Sequence, residues 1–594
     1  MFRAKTLLVR SRSWHQSVAL ALLLVIAFAV RIGIAASAGL DTAPSPATDE
    51  YEYDVLAWNL ARGRGYRGPS PDVADPEPLT AYRPPTAPLY YAAIYRLCGH
   101  RYPAAHAANA LLGALTVLLV FAIARCCFGA RAGGIAAVAY AFYPVALYYH
   151  RTLLSEPLAA FLVALFVWCC LGIDSAPGGR WSVAAGGVLG LLLLTKPAFA
   201  LLVPLLVWWG AFLGRRRREL RRRAFALTAI GCLAVVPWSV RNAIVFRQPI
   251  PFSTMGGSLL LHCNNRLVVA DPRYYGYSVW DTAIPEYAPA LRAAGSELRR
   301  DALARDFALR WLSTHPDHWF YLVRGKLIRL WTPALHGDQA APLKWAVSGY
   351  YGAILIAFVA TVIPVTRRFL RRRDPALVMH ALLLATTLTA LVFQGQHRYR
   401  FPIDSLLVCL AAGGTMGLAS AIRTGTWREA IRAGWVRLRR HPRAVALATA
   451  LSLLVAAAWA WDEARIERLR AQTCRRRLAA IGGALATYRG RHDRLRASLG
   501  DLVPAFLPNM EALHCPRHSL DYHEMMLLGS RDAARAAAVV SYALVPEPAP
   551  GAPWVIETRS THAGRRHALT ADGRVLALPA DASARPSPAT GSGG

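Results

Sequence analysis

Long apolar segments separated by short polar loops constrain the fold of this chain more than any other feature. A transmembrane helix needs about 20 consecutive, mostly apolar residues. Eleven stretches reach or approach that length: 17–36, 104–125, 131–149, 155–173, 181–194, 197–214, 224–240, 346–366, 376–393, 402–421 and 444–461. The stretch 181–194 is short, and "TKP" at 195–197 is also compatible with a kink inside one longer helix. We therefore predict a mainly α-helical, polytopic membrane protein with about 11 transmembrane helices.

The composition agrees with a membrane protein and argues against two other classes. Hydrophobic residues make up 55% of the 594 residues, and 68 basic residues against 35 acidic ones give a formal charge of +33. A nucleic-acid-binding protein would gather such cations on one surface that follows phosphates. Here the arginines are divided among short loops, and the ten cysteines include no CxxC pair. The sequence therefore predicts no nucleic-acid partner and no zinc site.

The distribution of arginine predicts the side of the membrane that each loop occupies, because basic loops stay in the cytoplasm. The basic segments, among them "RCCFGAR", "GRRRRELRRR" and "RRFLRRR", fall on one side when eleven crossings are counted. The N-terminus is then cytoplasmic, and Arg31 within the first stretch favours an uncleaved helix. The loops 37–103 and 241–345 are extracytoplasmic and long enough that they should fold and carry function. Because abundant arginine and alanine suggest a bacterial chain, we predict a location in the bacterial inner membrane.

Polar residues at the outer ends of these helices form the candidate site. Ionisable groups at membrane depth are costly, and they indicate a function or a buried ion pair. Each also has a structural explanation, since arginines anchor helices to headgroups and glutamate suits a helix N-terminus. Their common position on one membrane surface favours a shared role, in which cations hold a phosphate and a carboxylate takes a proton from a hydroxyl. The candidates are Asp49, Glu50, Tyr53, Arg83, His150, Arg151, Glu156, Lys196, His397, Arg398 and Arg400.

Five motifs follow one another in the order of the predicted topology: "TDEYEYDVLAWNLARGRGY", "YRPPTAPLYYAAIYRLCG", "RTLLSEPLAAFL", "LLLTKPAFALLVP" and "HRYRFPIDSLLVCLAA". Together they resemble bacterial members of the protein O-mannosyltransferase superfamily, which includes the lipid A aminoarabinose transferases, over residues 15–425. The resemblance implies a GT-C glycosyltransferase domain over residues 1–425. Such a domain would transfer a sugar from a polyprenyl-phosphate donor to a lipid, glycan or protein acceptor at the outer membrane surface.

The resemblance also implies roles for individual residues. Asp49 is implied as the general base or acceptor-binding group, with Glu50 as its alternative. Glu156 would lie near the donor, and Lys196 and Arg400 would contact its phosphate. The remaining substrate-binding residues that we expect are Tyr53, Arg83, His150 and Arg398. The fold is compatible with a divalent cation, although no ligand cluster in the sequence implies one.

The chain beyond this domain has a different pattern. We predict a cytoplasmic basic loop at 426–443, then a transmembrane helix and a small extracytoplasmic α+β domain at 444–580, and a disordered tail at 581–594. The helical extension and the strand-like runs "AVVSYALVP", "PWVIET" and "RRHALTADGRVLAL" resemble a type II secretion pseudopilin. The Gly-Phe processing site of that family is missing, so assembly into a pilus is not expected. A disulfide between Cys474 and Cys515 would suit an extracytoplasmic compartment.

Two other classes of function remain open from the sequence. A transporter or lipid flippase also needs charge within the membrane, but the sequence contains no inverted repeat, and large outer loops are unusual for that class. A non-catalytic envelope scaffold would account for the tail and leave the acidic first loop unexplained. We therefore expect an enzyme whose partners are a polyprenyl-phosphate sugar, an acceptor and membrane lipids.

Overall fold

The computed structural model describes residues 14–46, 48–69, 77–174, 179–214, 218–270, 274–333 and 341–426, parts of 428–487, and four strands between 542 and 579. Helices dominate this part of the chain. The first eleven are α1 (Trp14–Ser37), α2 (Asp49–Ala61), α3 (Thr86–Cys98), α4 (Tyr102–Phe128), α5 (Ala130–Ala141), α6 (Pro144–His150), α7 (Glu156–Gly172), α8 (Arg180–Leu193), α9 (Leu202–Gly214), α10 (Arg218–Leu233) and α11 (Val236–Phe246). The next eight are α12 (Gly256–Cys263), α13 (Arg266–Ala270), α14 (Ala288–Arg292), α15 (Glu297–Thr314), α16 (Trp319–Trp331), α17 (Ala341–Arg372), α18 (Val378–Val392) and α19 (His397–Arg423).

The apolar helices agree with a multi-pass membrane protein. Seven helical segments in the described part are long and apolar enough to cross a membrane, and α5 with α6, bent by 55° at their break, adds an eighth. Helices α7 and α8 are apolar but shorter. These elements coincide with ten of the eleven predicted stretches, and the remaining one, 444–461, lies almost entirely outside the described residues. The count of eleven crossings stays a prediction.

The break at "TKP" is a reversal of the chain and not a kink within one helix. Glycines of α8 contact α10 in the same order along both helices, Gly186 against Ile230 and Gly190 against Ala234. Glycines of α9 contact α10 in the opposite order, Gly210 against Ala224 and Gly214 against Arg221. Helices α8 and α9 therefore run antiparallel. Lys196 has an extended backbone before Pro197, which is the conformation that a following proline favours and which ends α8.

Helix α19 lies at the centre of the membrane domain. It packs against α4, α5, α7 and α17, and every residue from Arg400 to Gly414 is buried. Its far end meets the turn between α4 and α5, where Gly413 lies against the ring of Phe128. Because α19 starts at His397 among the outer loops, one helix connects the candidate site with the opposite end of the domain.

The arginine-rich turns gather at that opposite end. Arg368 donates to the carbonyl oxygen of Cys127 at 3.0 Å, and Arg373 donates to that of Phe212, also at 3.0 Å. These bonds join the end of α17 to the ends of α4 and α9. The acidic start of α2 lies at the other end of the same helices, so these two arginines and these acids are kept apart. The side of the membrane that each end occupies stays a prediction.

Both long loops contain helices in the part of the chain that the structure describes, and their place outside the cytoplasm stays a prediction. The first loop contains α2 and α3, and the second contains α12 to α16 around a hydrophobic core of its own that includes Leu261, Trp311 and Tyr321. Ile466, which follows the predicted last crossing, is buried in this core, and Arg465 donates to Asp317 at 2.6 Å. The start of the tail therefore lies on the same side of the membrane domain as the second outer loop.

The described part of the tail ends in a four-stranded antiparallel sheet with strand order β1-β2-β3-β4. Its strands are β1 (Tyr542–Leu544), β2 (Pro553–Glu557), β3 (Arg565–Thr570) and β4 (Val575–Pro579). Leu569 pairs with Val575 across the predicted "ADG" turn, and the strands coincide with the three predicted runs. The resemblance to a pseudopilin stays a prediction, and both cysteines of the predicted disulfide lie outside the described residues.

Gly395 provides a test of how the second outer loop is fixed to the membrane helices. A Cβ atom added at Gly395 would overlap the backbone carbonyl of Lys326, whereas one added at Gly417, on α19, would meet nothing within 4 Å. We expect Gly395→Ala to lower the free energy of unfolding by about 1–3 kcal/mol, the usual cost of overpacking. We expect Gly417→Ala to raise it by up to about 1 kcal/mol, because alanine is the better helix former. Thermal unfolding of both purified variants in one detergent measures the difference. Equal melting temperatures would show that this contact adapts without cost.

Candidate functional site

The candidate site lies where five segments of the chain meet at the outer end of the membrane helices. It is built from the start of α2, the segment before α3, the start of α7, the connection between α8 and α9, and the start of α19. Helix α2 of the first loop begins at Asp49, after the N-cap Thr48. Asp49, Glu50 and Glu52 therefore occupy its first turn, where carboxylates are favourable near the positive end of the helix dipole.

Arg83 connects two carboxylates of that first turn. Its Nη2 donates to Asp49 Oδ1 and its Nε donates to Glu52 Oε2, both at 2.5 Å. Asp49 and Glu52 are three residues apart and hence project from one face of α2. The guanidinium also lies over the rings of Tyr53 and Tyr82, each 5.4 Å from its centre. Arg83 is 6% exposed, so this pairing is largely shielded from water.

Arg398 extends the network to α7. Its Nη1 donates to Asp49 Oδ2 and its Nε donates to Glu156 Oε1, both at 2.5 Å. Lys196 donates to the same oxygen of Glu156 at 2.8 Å and lies over the ring of Tyr399. Glu156 is fully buried. We call the resulting alternation of acid and base the ion-pair chain; its six members in order are Glu52, Arg83, Asp49, Arg398, Glu156 and Lys196.

The acids of the first turn differ in their electrostatics. Burial opposes ionisation of Asp49, but Arg83 and Arg398 outweigh it and hold the pKa of Asp49 well below its usual range. Burial raises the pKa of Glu50, and it also raises the pKa of Glu52 although Arg83 acts against it. The ion pairs of Asp49 therefore stabilise the fold above about pH 3.9, the ordinary value for aspartate, and are lost as the pH falls through the lowered pKa.

Glu50 stands beside the ion-pair chain and not in it. Its Oε2 accepts a hydrogen bond from the backbone N–H of Leu153 at 3.3 Å, which ties α2 to the turn between α6 and α7. Among the described residues its other carboxylate oxygen accepts no hydrogen bond. Glu50 is therefore the acid of this turn that forms no ion pair with a cation of the described residues, and one of its oxygens is available to an incoming hydroxyl.

The second outer loop holds the backbone next to Arg83. Glu297, at the start of α15, accepts hydrogen bonds from Thr80 Oγ1 at 2.7 Å and from the N–H of Ala81 at 2.9 Å. Arg241 donates to the carbonyl oxygen of Thr80 at 2.8 Å. Tyr66 of the first loop donates to the carbonyl oxygen of Arg83 at 2.9 Å. Both outer loops thus fix the position of the guanidinium.

Two of the predicted residues are engaged elsewhere. Arg400 donates to Asp404 at 3.0 Å and to the carbonyl oxygen of Leu330 at 2.7 Å, and its guanidinium lies 3.6 Å from the centre of the Tyr351 ring. Since Asp404 also accepts from Tyr143, Arg400 belongs to a buried network that holds the end of α16. Its contacts give no support to the predicted role as a phosphate ligand.

His150 also lies outside the ion-pair chain. It is buried beside Arg31, and both side chains contact the face of Gly113 on α4. Its Nδ1 lies 2.6 Å from the carbonyl oxygen of Ala146. The predicted substrate contact of His150 therefore has no support in its surroundings, because the ring packs inside the helices below the site.

Three residues that form the site or hold its segments in place were not identified from the sequence. Glu52 and Asp54 lie in the first motif but were not among the candidates, yet Glu52 pairs with Arg83. Asp54 is buried and accepts hydrogen bonds from Tyr95 at 2.6 Å and Tyr102 at 3.2 Å, which attach α2 to its neighbours. The spacing of three residues between Asp49 and Glu52 is a signal that could have indicated the first pairing. No local pattern indicates Glu297, whose partners are more than 200 residues away.

A metal site is not evident in the described ranges. They contain no group of three or more histidine, cysteine, aspartate or glutamate side chains placed to hold a metal ion. The acids of the ion-pair chain are instead engaged by cations of the protein. A divalent cation therefore has no identified set of ligands here.

Comparison with known proteins agrees with part of the resemblance seen in the motifs. Residues 82–240 match the family model of dolichyl-phosphate-mannose-protein mannosyltransferase. This segment contains Arg83, Glu156 and Lys196, and the match supports a relation to the GT-C glycosyltransferases. No curated protein sequence matches the chain.

Solved structures of two membrane transferases are similar to the described fold. One is the archaeal oligosaccharyltransferase AglB from Archaeoglobus fulgidus with an inhibitory peptide and a dolichol-phosphate, at 16% identity and a TM-score of 0.43 over 79% of this chain. The chain covers 58% of the length of that protein. The other is ArnT from Cupriavidus metallidurans bound to undecaprenyl phosphate, at 19% identity and a TM-score of 0.33, covering 68% of this chain and 79% of ArnT.

The contribution of Glu297 to holding the backbone next to Arg83 can be tested by mutation. Replacing Glu297 with alanine removes both acceptors and leaves the N–H of Ala81 buried without a partner, which costs about 1–3 kcal/mol locally. We expect faster hydrogen exchange in the segment before α3. Mass spectrometry of the deuterated protein measures it, with Glu286→Ala as the control, because Glu286 pairs with Arg266 at the surface. Unchanged exchange in Glu297→Ala would mean that Arg241 and Tyr66 hold the segment without it.

Proposed function

We propose that this protein is a membrane glycosyltransferase that moves a sugar from a polyprenyl-phosphate donor to a hydroxyl group of a lipid, glycan or protein acceptor. The observation that carries the proposal is the ion-pair chain, which concentrates three cations and three carboxylates at one end of the membrane helices. The match of residues 82–240 to a family of sugar transferases supports it. The reaction would take place at the extracytoplasmic face of a bacterial inner membrane, where the lipid tail of the donor stays in the bilayer.

The cations of the chain would bind the donor and stabilise its leaving group. When the acceptor oxygen attacks the anomeric carbon, the bond between that carbon and the phosphate oxygen breaks, and the phosphate leaves with the electron pair. Arg83, Arg398 and Lys196 are the donors available to this developing charge, and arginine can bind phosphate with two parallel hydrogen bonds. Their fixed positions on separate segments would reduce the rearrangement needed during the reaction.

The acceptor hydroxyl must lose its proton to a carboxylate. The resemblance assigns this role to Asp49, with Glu50 as the alternative, and the contacts favour the alternative. Both oxygens of Asp49 accept from arginine and its pKa is lowered, so it is a weak base in this arrangement. Glu50 has an available oxygen and forms no ion pair among the described residues, and its raised pKa makes it a stronger base than an ordinary glutamate. Asp49 would then orient Arg83 and Arg398, and Tyr53 would support Arg83 from its ring face.

The C-terminal part of the chain would form an extracytoplasmic pseudopilin-like domain that contacts the second outer loop. The contacts of Arg465 and Ile466 with that loop support this arrangement. Such a domain would bring a bound protein or glycan near the site. If a variant that ends at residue 462 still transfers sugar to the acceptor, the C-terminal domain has a role outside catalysis.

The assignment of the base is tested by transfer of radiolabelled sugar from a panel of polyprenyl-phosphate hexoses and aminopentoses. We expect Glu50→Gln to lower kcat by about 10²–10⁴-fold, the usual contribution of a general base, with little change in KM for the donor. The rise of kcat with pH should also disappear in this variant, because the base acts only when it is ionised. Glu286→Gln, which removes a carboxylate outside the site, is the control.

Asp49→Asn should behave differently from Glu50→Gln. It leaves Arg83 and Arg398 with one carboxylate each, so their positions change and KM for the donor should rise, while the pH profile of kcat keeps its shape. If Asp49→Asn instead removes the pH dependence and Glu50→Gln retains it, Asp49 is the base. Wild-type protein that transfers no sugar with any donor of the panel would contradict the proposed function as a whole.

A further inference from the structure

The edge of Arg83 that Nε and Nη2 form is already occupied by carboxylates. Its Nε is bonded to Glu52 and its Nη2 to Asp49, and the rings of Tyr53 and Tyr82 flank the guanidinium. A phosphate that binds this edge of Arg83 with two hydrogen bonds must therefore take the place of one of the two carboxylates. The geometry raises the question of which carboxylate leaves.

The contacts identify Glu52 as the carboxylate that is held less firmly. Asp49 accepts from two guanidinium groups, Arg83 and Arg398, whereas Arg83 provides the single ion pair of Glu52 among the described residues. Glu52 is at the end of the ion-pair chain; its side chain is 20% exposed and that of Asp49 is 19% exposed, so the number of ion pairs distinguishes the two acids and exposure does not. It also has one more rotatable bond than aspartate, so it can move towards solvent without moving α2.

The charge balance of the ion-pair chain also indicates Glu52 as the carboxylate that leaves. The three cations are matched by three carboxylates, and a donor phosphate would add negative charge to a largely buried group. Unpaired charge is costly where water is excluded. Release of Glu52 to solvent would restore the balance, while release of Glu156, which is fully buried, would leave an unpaired charge inside the protein.

We propose that Glu52 occupies the place of the donor phosphate on Arg83 and leaves it when the phosphate binds. This inference rests on the proposed function, since it assumes that Arg83 contacts the phosphate of the donor. Glu52 keeps Arg83 paired and oriented when no donor is present. The same contact weakens binding of the lipid phosphate, which helps the spent carrier to leave after the sugar has been transferred.

The test measures binding of geranyl phosphate, a short polyprenyl phosphate, to the full-length protein in lipid nanodiscs. We expect Glu52→Gln to bind it about tenfold more tightly than the wild type, because the competing carboxylate is gone. Glu52→Ala should act in the same direction. Arg83→Gln should lose most of the binding, and Glu286→Gln, which removes a surface carboxylate, should match the wild type. Geraniol, which has no phosphate, should show no difference between the variants.

The outcomes separate this inference from the proposed function. Equal or weaker binding by Glu52→Gln, with normal binding by the wild type, overturns the role of Glu52 and leaves the proposed function in place. No binding by any variant, or full binding by Arg83→Gln, contradicts the donor site itself. Loss of folding in both Glu52 variants would also overturn the inference, because it requires the protein to stay folded while Glu52 is away from Arg83.

Discussion

The alternation of positive and negative side chains at the outer end of the helices is the interaction on which the site depends. Five separate segments of the chain supply its members, and each charge is tolerated near the membrane only because its neighbours have the opposite sign. Removing one member of such a group exposes another buried charge, at a cost of about 3–5 kcal/mol. The network therefore fixes the meeting of α2, α7 and α19 as well as the position of the groups proposed for catalysis.

The outer loops also hold the segments of this network in position. The second loop has its own hydrophobic core, and Glu297 and Arg241 reach from it to the backbone beside Arg83. Lys326 provides a second attachment, because its ammonium group donates to Asn264 and to the last carbonyl oxygen of α18. Burial lowers the pKa of Lys326 to about 8. A loop attached at both places can hold Arg83 with the rigidity that its proposed role in charge stabilisation needs.

The sequence predicted much of this arrangement and missed parts of it for identifiable reasons. Apolar length indicated the helices, and the position of Lys196 at the outer end of one of them placed it among the candidates. The structure joins Lys196 to Glu156. Arg398 and Arg400 were equivalent in sequence, two residues apart at the start of one helix. The structure separates them, because a rotation of about 200° between such positions on a helix turns Arg398 to the site and Arg400 to Asp404.

The sequence by itself determined which residues are embedded in apolar helices and on which end the acids and the arginines gather, because burial in lipid and loop charge act on each segment separately. Only the tertiary structure decided which cation meets which carboxylate. Asp49 and Arg398 are 349 residues apart in the chain, and their contact depends on how α2 and α19 pack. The same packing made Glu52 a ligand of Arg83 and left Glu50 with a free oxygen. Those differences in pairing distinguish carboxylates that are alike in the sequence.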